Sequence, residues 1–438
     1  MNGEVLPDGW RWSTLGEVAA PNCRAIVSGP FGSNIGSRFF VEKGIPVIRG
    51  NNLTTDMTRF VDRGFVFVTE EKADELGNCE ALPGDLVFTA AGSLGQVGLI
   101  PISSLYPRYI ISNKQLRARL DKHHVDPLFA FYWFASPRMI EYVQQRNTGS
   151  SVPLINLSVL RALPLPLPPL SEQRAIAHIL GTLDDKIELN QRMNATLEEM
   201  ARALFKSWFV DFDPVRAKIE GRDTGLPREI ADLFPDGFEE SAAGEVPVGW
   251  GVRGLDETAR FLNGLALQKY PPQNGKSLPV IKIAQLRTGE TEGADLASAD
   301  LDPAYIVADG DVLFSWSGSL ECVLWAGGPG ALNQHLFKVT STDYPKWFYY
   351  FWIHKHLESF RQIAADKATT MGHIQRRHLS DAQVVVPDRG VLDMANKALS
   401  PMIDQLTQRR IESRTLAALR DTLLPKLISG ELRVPDAR

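Results

Sequence analysis

Cysteine is scarce in this sequence of 438 residues, which holds three scattered copies, Cys23, Cys79 and Cys322, and no CxxC pair. That spacing favours neither a zinc ribbon nor a disulfide framework, and it fits a reducing compartment. No apolar run is long enough to span a membrane, and the first ten residues lack the basic and apolar pattern of a secretory signal. We therefore expect a cytoplasmic protein without a membrane segment.

Motifs of catalysis are also missing from the sequence. Gly275-Lys276-Ser277 ends like a phosphate-binding loop, but Tyr stands where such a loop needs its first Gly. Neither His354 with His356 nor His373 with His378 has a third partner at metal-ligand spacing. No methyltransferase motif, nuclease carboxylate–lysine cluster or Ser-His-Asp set stands out, so we expect no catalytic residue, no bound metal and no enzyme activity in this chain.

Length and composition indicate several ordinary domains. The chain is too long for a single core, so two or more domains are expected. Hydrophobic residues make up 44% and charged residues 23%, which is typical of globular proteins. The formal net charge of −5 neither favours nor excludes nucleic-acid binding, because a basic face can lie on an acidic protein.

A long helix is predicted from Ser171 to Phe209. Its interior has no Pro, and good helix formers dominate. We place a helix N-cap at Thr182, with Asp185 three residues later. Apolar residues recur alternately every four and three positions, the a/d pattern of a helix that packs lengthwise on another helix. This seam comprises Ile176, Leu180, Leu183, Ile187, Asn190, Asn194, Leu197, Ala201, Leu204 and Trp208.

A weaker copy of this helix spans residues 391–427, and matched positions lie 219 residues apart. Ser400 and Pro401 predict an N-cap followed by Pro at the first helical position. The copy turns polar where the first seam does, because Arg409 and Ser413 match its two Asn residues. Its seam comprises Leu392, Ala395, Leu399, Met402, Leu406, Arg409, Ser413, Leu416, Arg420, Leu423 and Leu427.

The globular parts of the chain repeat as well. Trp10 in the opening segment matches Trp250, and the segments IPVIRGNNL, GDLVFTAAGSL and NKQLRAR match LPVIKIAQL, GDVLFSWSGSL and NQHLFKV. Their short apolar runs between Gly, Pro and Asn predict strands, and one aromatic helix is predicted at 128–144. Between the repeats, the polar segment 211–245 is rich in Gly and Pro and predicts a loosely structured connector.

These patterns predict an α+β protein with two pseudo-repeated globular domains, separated by two long helices that pack as an antiparallel coiled coil. We place the first globular domain at 1–169, the first helical region at 170–210 and the connector at 211–245. The second globular domain follows at 246–388, and the second helical region with the tail at 389–438. From Leu183 to Phe209 the first helix would measure about 40 Å, so the helices would act as a ruler between two recognition domains.

Several polar turns of both repeats carry residues suited to DNA. Arg, Asn and Gln side chains make paired contacts with base edges, whereas Ser, Thr and Lys suit phosphates. For any single loop, a solvated turn is the better interpretation. Two repeats on paired helices strengthen the hypothesis of a bipartite DNA target for the set. The candidates are Ser33, Asn34, Arg38, Arg49, Asn51, Asn52, Arg59, Ser150, Ser151, Gln268, Lys269, Lys282, Gln285, Arg287, Thr369, Thr370, His373, Gln375, Arg376 and Arg377.

Four segments of the first repeat are distinctive: SGPFGSNI, GIPVIRGNNL, GDLVFTAAGSLGQVG and PLPLPPLSEQRAIAHILGTLDDKIELN, the last of which leads into the first long helix. On these segments the chain resembles the specificity subunits of type I restriction–modification systems. FKSWFVDFDPVRAKIEG, LFPDGFEESAAGEVPVGW and the terminal LLPKLISGELRV extend the resemblance over nearly the whole chain. The second repeat departs more, because HIQRRHLSDAQVVVPD replaces the usual closing pattern and the second helix lacks the EQ pair.

The resemblance implies two target-recognition domains, each reading half of a split double-stranded DNA site in host defence. By the same resemblance, two helices would set the spacer and dock two modification subunits, and restriction subunits would complete the complex. The partners would use S-adenosylmethionine, ATP and magnesium, whereas this chain would bind no cofactor. Arg174, Arg192, Glu198, Glu199, Arg202, Arg409, Arg410, Arg414 and Arg420 are candidate partner contacts on the helices.

Two other functions stay open from the residues alone. One is a self-contained DNA-modifying enzyme, which labelled S-adenosylmethionine and DNA would reveal. The other is a protein scaffold that binds no DNA, which would lack the steep loss of affinity with salt that phosphate contacts produce.

Overall fold

The computed structural model describes residues 6–21, 24–149, 151–273, 275–366 and 372–434. The chain divides into two compact units. The first unit combines residues from 1–185 with residues from 417–438, and the second unit comprises 186–416. The domain boundaries predicted above stay predictions.

The first unit holds short strands and helices that lead into a long helix. In chain order they are β1 (Arg11–Thr14), β2 (Ile26–Ser28), β3 (Ile45–Ile48), β4 (Val66–Val68), α1 (Glu70–Glu75), β5 (Glu80–Ala81), β6 (Leu86–Thr89), β7 (Val97–Leu99), β8 (Tyr109–Ile111), β9 (Gln115–Ala118), α2 (Pro127–Phe134), α3 (Pro137–Gln144), α4 (Leu157–Arg161), β10 (Pro164–Leu167) and α5 (Leu170–Phe209), which continues into the second unit.

Two four-stranded sheets form the body of the first unit, in the orders β2-β9-β6-β7 and β4-β3-β8-β5, and β1 pairs with β10. The β3–β8 pair is parallel, whereas its neighbours are antiparallel. Helix α2 buries its aromatic sequence in the core beside the first sheet. The single helix predicted at 128–144 is wrong: Ser136 caps a new helix, α3, and Pro137 occupies its first turn.

The second unit begins inside α5 and ends inside the last helix. Its elements are α6 (Asp213–Ile219), α7 (Arg228–Ala231), β11 (Phe238–Ser241), β12 (Gly244–Pro247), β13 (Gly251–Gly254), α8 (Leu255–Thr258), β14 (Arg260–Asn263), β15 (Ser277–Ile281), α9 (Ile283–Thr288), β16 (Leu296–Ser298), β17 (Ile306–Val307), β18 (Val312–Ser315), β19 (Cys322–Leu324), β20 (Gly330–Leu332), β21 (Leu336–Thr340), α10 (Lys346–Asp366), α11 (Arg376–Asp381), β22 (Gln383–Val386) and α12 (Arg389–Ser429), which ends in the first unit.

The sheets of the second unit repeat those of the first. Their orders are β14-β21-β18-β19 and β16-β15-β20-β17, and β13 pairs with β22. The β15–β20 pair is parallel, like β3–β8. The repeat seen in the sequence is therefore a repeat of topology, and each unit carries the same pair of sheets.

Helices α5 and α12 pack as the predicted antiparallel coiled coil. Within the first unit, Asp184 of α5 meets Arg420 of α12 at 2.8 Å. Within the second, Asn190 donates to Glu412 at 2.8 Å and Glu198 meets Arg410 at 3.3 Å. Along these three pairs the residue number rises on α5 and falls on α12, so the two helices run antiparallel. The predicted seam residues of both helices are buried or half-buried.

Both predicted N-caps are wrong, because each helix begins well before its capping sequence. Thr182 lies inside α5, where its hydroxyl donates to the carbonyl of His178 at 2.7 Å. Ser400 and Pro401 lie inside α12, which begins at Arg389. Burial of the preceding apolar turns in the unit cores outweighs these local signals, since tertiary packing supplies most helical stability.

The segment between α5 and β13 is ordered, so the predicted loose connector is wrong in character. Helices α6 and α7 and the β11–β12 hairpin occupy it. Phe212 and Phe234 are buried, and both rings lie about 6 Å from Trp250, with centroid distances of 5.9 and 6.3 Å. These aromatic residues, spaced among Gly and Pro, attach the segment to the core of the second unit.

Within the described ranges, no helix combines the length and apolar character needed to cross a membrane.

Candidate nucleic-acid interface

A polar cleft opens in the first unit where strands β3, β6 and β9 meet their loops. Its volume is about 580 Å³. Two predicted residues, Arg49 and Asn51, line it. The full lining comprises Ile35, Phe40, Arg49, Gly50, Asn51, Thr89, Ala91, Gly92, Ser93, Gln96, Ser112, Asn113, Lys114 and Gln115.

Asn52 shapes the loop that presents Arg49 and Asn51. It is fully buried, and its Oδ1 accepts the backbone N–H of Arg49 at 3.0 Å. Its Nδ2 donates to the carbonyls of Val61 and Arg63, both at 2.9 Å. The amide therefore holds one turn of 3₁₀ helix directly after β3. A DNA contact by Asn52 itself stays a prediction.

The cleft is positively charged. Arg49 and Lys114 lie among the lining residues, and none of the lining residues found in the described chain is acidic. The side chain of Gln96 in the cleft is held by two hydrogen bonds. Its Oε1 accepts from the Thr89 hydroxyl at 2.9 Å, and its Nε2 donates to the Leu53 carbonyl at 3.0 Å. A cationic cleft with amide and hydroxyl groups suits a phosphate-bearing partner.

The other predicted residues of the first unit lie in three places. Ser33, Asn34 and Arg38 are exposed on the loop after β2, where Arg38 Nη2 donates to the Ser33 carbonyl at 2.9 Å. Ser151 is exposed on the loop whose Pro153 carbonyl accepts from Gly92 of the cleft. Ser150 lies outside the described residues.

Arg59 is committed to α5 rather than to the cleft. Its Nη1 pairs with Asp185 and its Nη2 donates to the Gly181 carbonyl, each at 2.8 Å. The side chain thus joins the sheet region of the first unit to the long helix, and a DNA contact for it stays a prediction.

The second unit repeats the loop geometry with other side chains. The backbone N–H of Lys282 donates to Gln285 Oε1 at 3.2 Å, as Arg49 does to Asn52. Lys282 also pairs with Asp295, and Arg287 lies 4.0 Å from Glu321. The remaining predicted residues before this loop, Gln268 and Lys269, are exposed on the 3₁₀ turn Leu267–Lys269, which matches Gly32–Asn34 of the first unit.

The segment before α11 carries the last predicted residues. Arg376 Nη2 donates to the Phe261 carbonyl at 3.3 Å, and its guanidinium lies 5.8 Å from the Phe337 ring. Gln375 precedes α11, and Arg377 is exposed in its first turn. His373 is half-buried. Thr369 and Thr370 lie outside the described residues.

Trp316 and His335, which pack beside His373, were not predicted from the sequence. The Trp316 ring lies 5.8 Å from that of His335 and 6.2 Å from that of His373. Its Nε1 donates to Asn263 at 2.9 Å and to the Gln334 carbonyl at 3.0 Å. Asn113 and Lys114 of the first cleft were missed as well. These four missed residues all lie next to core strands. Alignment of the two repeats pairs Lys114 with Gln334 and Gln115 with His335.

Buried titratable groups give no catalytic arrangement in the described part of the chain. Burial raises the pKa of the Cys79 and Cys322 thiols, which opposes a nucleophilic role. Burial also lowers the pKa of His354 to about 4, and that of His356 falls for the same reason. No cluster of three or more potential metal ligands occurs there either.

Several helix arginines predicted to contact partners are used inside their own unit. Arg414 makes a two-pronged pair with Asp309, at 2.9 and 2.8 Å. Arg410 donates to the Leu324 carbonyl at 3.1 Å as well as to Glu198. Arg420 is buried against Asp184, so the prediction that it contacts a partner subunit is wrong. Other predicted contacts, Arg174, Arg192, Glu199 and Arg202, are exposed, whereas Arg409 and Glu198 are half-buried.

Comparison with known proteins agrees with this architecture. Residues 7–199 match the family described as type I restriction modification DNA specificity domain. The HindI specificity subunit of a type I restriction enzyme from Haemophilus influenzae is 24% identical, over 85% of this chain and 94% of its own length. The MjaIX specificity subunit from Methanocaldococcus jannaschii is also 24% identical, over 90% of this chain and 88% of its own.

A solved structure shares the fold. The crystal structure of a type I restriction–modification S subunit from M. genitalium superimposes with a TM-score of 0.58 at 14% identity, covering 95% of this chain and 96% of that one. The chain is thus similar to type I specificity subunits in sequence over most of its length, and it shares the fold of an S subunit.

Proposed function

We propose that this chain is the DNA sequence-recognition subunit of a type I restriction–modification complex. Each globular repeat, within 1–169 and 246–388, reads one half of a bipartite target, and the helices set the spacer between the halves. The observation that carries the proposal is the duplication of one topology, sheet for sheet, with a long helix after each copy. Two copies with different loop side chains are suited to two different half-sites.

The cationic cleft supports DNA as the ligand of the first repeat. Arg49 and Lys114 can neutralise phosphates, and Asn51 and Asn113 carry amides that match the donor and acceptor edges of bases. In the second repeat, Gln334 and His335 replace Lys114 and Gln115, so that repeat offers a different pattern of donors and acceptors. Divergence at matched positions is what recognition of two unlike half-sites requires.

Catalysis belongs to partner subunits in this proposal. Two modification subunits dock on the coiled coil and methylate DNA with S-adenosylmethionine, and restriction subunits use ATP and magnesium. The exposed polar side chains of α5, among them Arg192 and Arg202, are available for such docking. The chain itself contributes sequence recognition and spacing.

The decisive experiment is a genome-wide map of methylated bases in cells that co-express the chain with its modification subunits. The proposal expects one bipartite motif with a fixed spacer, which is lost when the chain is omitted. Methylation by the modification subunits alone at the same motif would refute it. Exchange of residues 11–167 for those of a homologue should change one half-site and leave the other unchanged.

A further inference from the structure

Phe31 is held in solvent beside the cationic cleft of the first unit. It is 84% exposed, more than Ile102 at 76% or Leu105 at 75%. A single exposed apolar residue needs no explanation, but a large aromatic ring presented by a fixed loop at a ligand cleft differs from a chance surface residue.

The loop that carries Phe31 is fixed on both sides. Before it, the backbone N–H of Gly29 donates to the Gln115 carbonyl at 2.9 Å. A Cβ at Gly29 would lie only 1.8 Å from the Ser112 carbonyl oxygen, so the loop is pressed against the cleft wall. After it, the carbonyl of Phe31 accepts from Asn34 at 2.8 Å. The backbone from which the ring projects is therefore set before any ligand arrives.

The residue that follows Phe31 contacts the lining of the cleft. Gly32, the next residue, lies against Asn113, since the position of a Cβ at Gly32 falls 3.2 Å from Asn113 Nδ2. Asn113 and its neighbour Lys114 both line the cleft. A duplex bound at the cationic cleft would thus lie beside the ring.

The second unit lacks the ring at the matched place. Gly264 matches Gly29, because a Cβ there would lie 2.3 Å from the Asn333 carbonyl oxygen. The 3₁₀ turn that follows is also matched, so Ala266 stands where Phe31 stands in the first unit. The loop scaffold therefore does not require an aromatic residue, and Phe31 is an addition specific to the first unit.

We propose that Phe31 inserts between neighbouring base pairs of the first half-site, where its ring stacks on a base and anchors the duplex over the cleft. This inference rests on the proposed DNA-recognition function. Proteins that distort DNA insert Phe, Leu or similar apolar side chains between base steps, and unstacking is repaid by new contacts. The second half-site should be bound without such a wedge, because Ala266 is too short.

The test uses the complex of the full chain with its modification subunits and a short duplex that carries the mapped target. The base 2-aminopurine, whose fluorescence rises when it is unstacked, replaces successive bases of the first half-site. The variants are Phe31→Ala, Phe31→Leu and the control Leu105→Ala, which removes a comparably exposed side chain that does not line the cleft.

The wild-type complex should raise the fluorescence at one step of the first half-site. Phe31→Ala should abolish that rise and weaken binding by about tenfold, the scale of losing one aromatic–base stack. Phe31→Leu should keep most of the rise, because Leu can also act as a wedge. The control Leu105→Ala should behave as wild type. Neither of the two Phe31 variants should lower the melting temperature of the chain.

The failures of the two proposals are distinguishable. A wild-type complex that neither binds nor methylates the duplex would overturn DNA recognition itself. A wild-type complex that binds and methylates, but shows no fluorescence rise or keeps it in Phe31→Ala, would overturn the wedge alone.

Discussion

Replacement of Asp184 by Ala should destabilise the first unit strongly, because this carboxylate joins three elements. It accepts from Arg420 Nη1 of α12 at 2.8 Å and from the hydroxyl of Tyr132 of α2 at 2.5 Å. Burial raises the pKa of Tyr132, so its hydroxyl stays protonated and donates to Asp184. The side chains of Asp184 and Arg420 are each 10% exposed, so water screens the pair little.

The expected loss follows from what remains after the substitution. Breaking a buried ion pair by removing one partner costs about 3–5 kcal/mol. The low end applies here, because Arg420 keeps its 2.8 Å contact with Asp421. A loss of about 3 kcal/mol in a unit of this size lowers the melting temperature by roughly 6–12 °C.

Urea unfolding and thermal melts of the full chain measure the effect, and the neighbouring residue provides the control. Asp185 also forms an ion pair, with Arg59 at 2.8 Å, but its side chain is 68% exposed. Asp185→Ala should therefore cost less than about 1 kcal/mol. In a double-mutant cycle, Asp184→Ala and Arg420→Ala should show a coupling of at least about 1 kcal/mol. Equal losses at positions 184 and 185, or zero coupling, would refute the reasoning.

Three further predictions concern binding, pH and spacing. Lys114→Ala should weaken DNA binding and reduce the slope of log affinity against log salt by about 1, because one phosphate contact is lost; an unchanged slope in a salt titration would remove Lys114 from the interface. Burial lowers the pKa of His354 to about 4 in the folded chain, against an ordinary 6.5. The contribution of neutral His354 to the free energy of unfolding is therefore fully present above pH 6.5 and should fall by about 3 kcal/mol as the pH drops to 4. Denaturation of His354→Leu should show a flatter pH profile, and an identical profile would refute this assignment. One heptad inserted after Asn190, with another at the matched position of α12, lengthens each helix by roughly 10 Å and should widen the target spacer by about three base pairs. Methylome sequencing checks this, and an unchanged spacer in an active complex would exclude the helices as the ruler.

Periodicity and duplication made the architecture predictable from the sequence. An a/d seam over ten positions and a second copy at a constant offset identify two paired helices whatever the details of their ends. The ends themselves were mispredicted at Thr182 and Ser400, because a capping residue is a local signal whereas burial of the preceding turns is a tertiary effect. Likewise, the Gly and Pro content of the connector hid Phe212 and Phe234, whose packing orders it.

The candidate interface was only partly predictable. Polar loop composition led to Arg49 and Asn51, which line the cleft, but it could not separate them from Asn52, whose amide is consumed by backbone groups. Lys114 and Trp316 were missed because they lie next to apolar strands that the sequence presented as core. Comparing the two repeats position by position is the signal that finds them, since they differ where the surrounding strands agree.

The strand pairs that close each repeat have an evolutionary consequence. The first strand of each repeat pairs antiparallel with its last, β1 with β10 and β13 with β22, over four residues each. Directly opposed residues in such a pair lie about 5 Å apart, so the entry and exit of the chain are neighbours. Recombination that replaces everything between the two strands therefore restores the same junction. Under the proposed function, the protein can acquire recognition of a new half-site in one genetic step. The helices to which the new segment is joined need no adjustment.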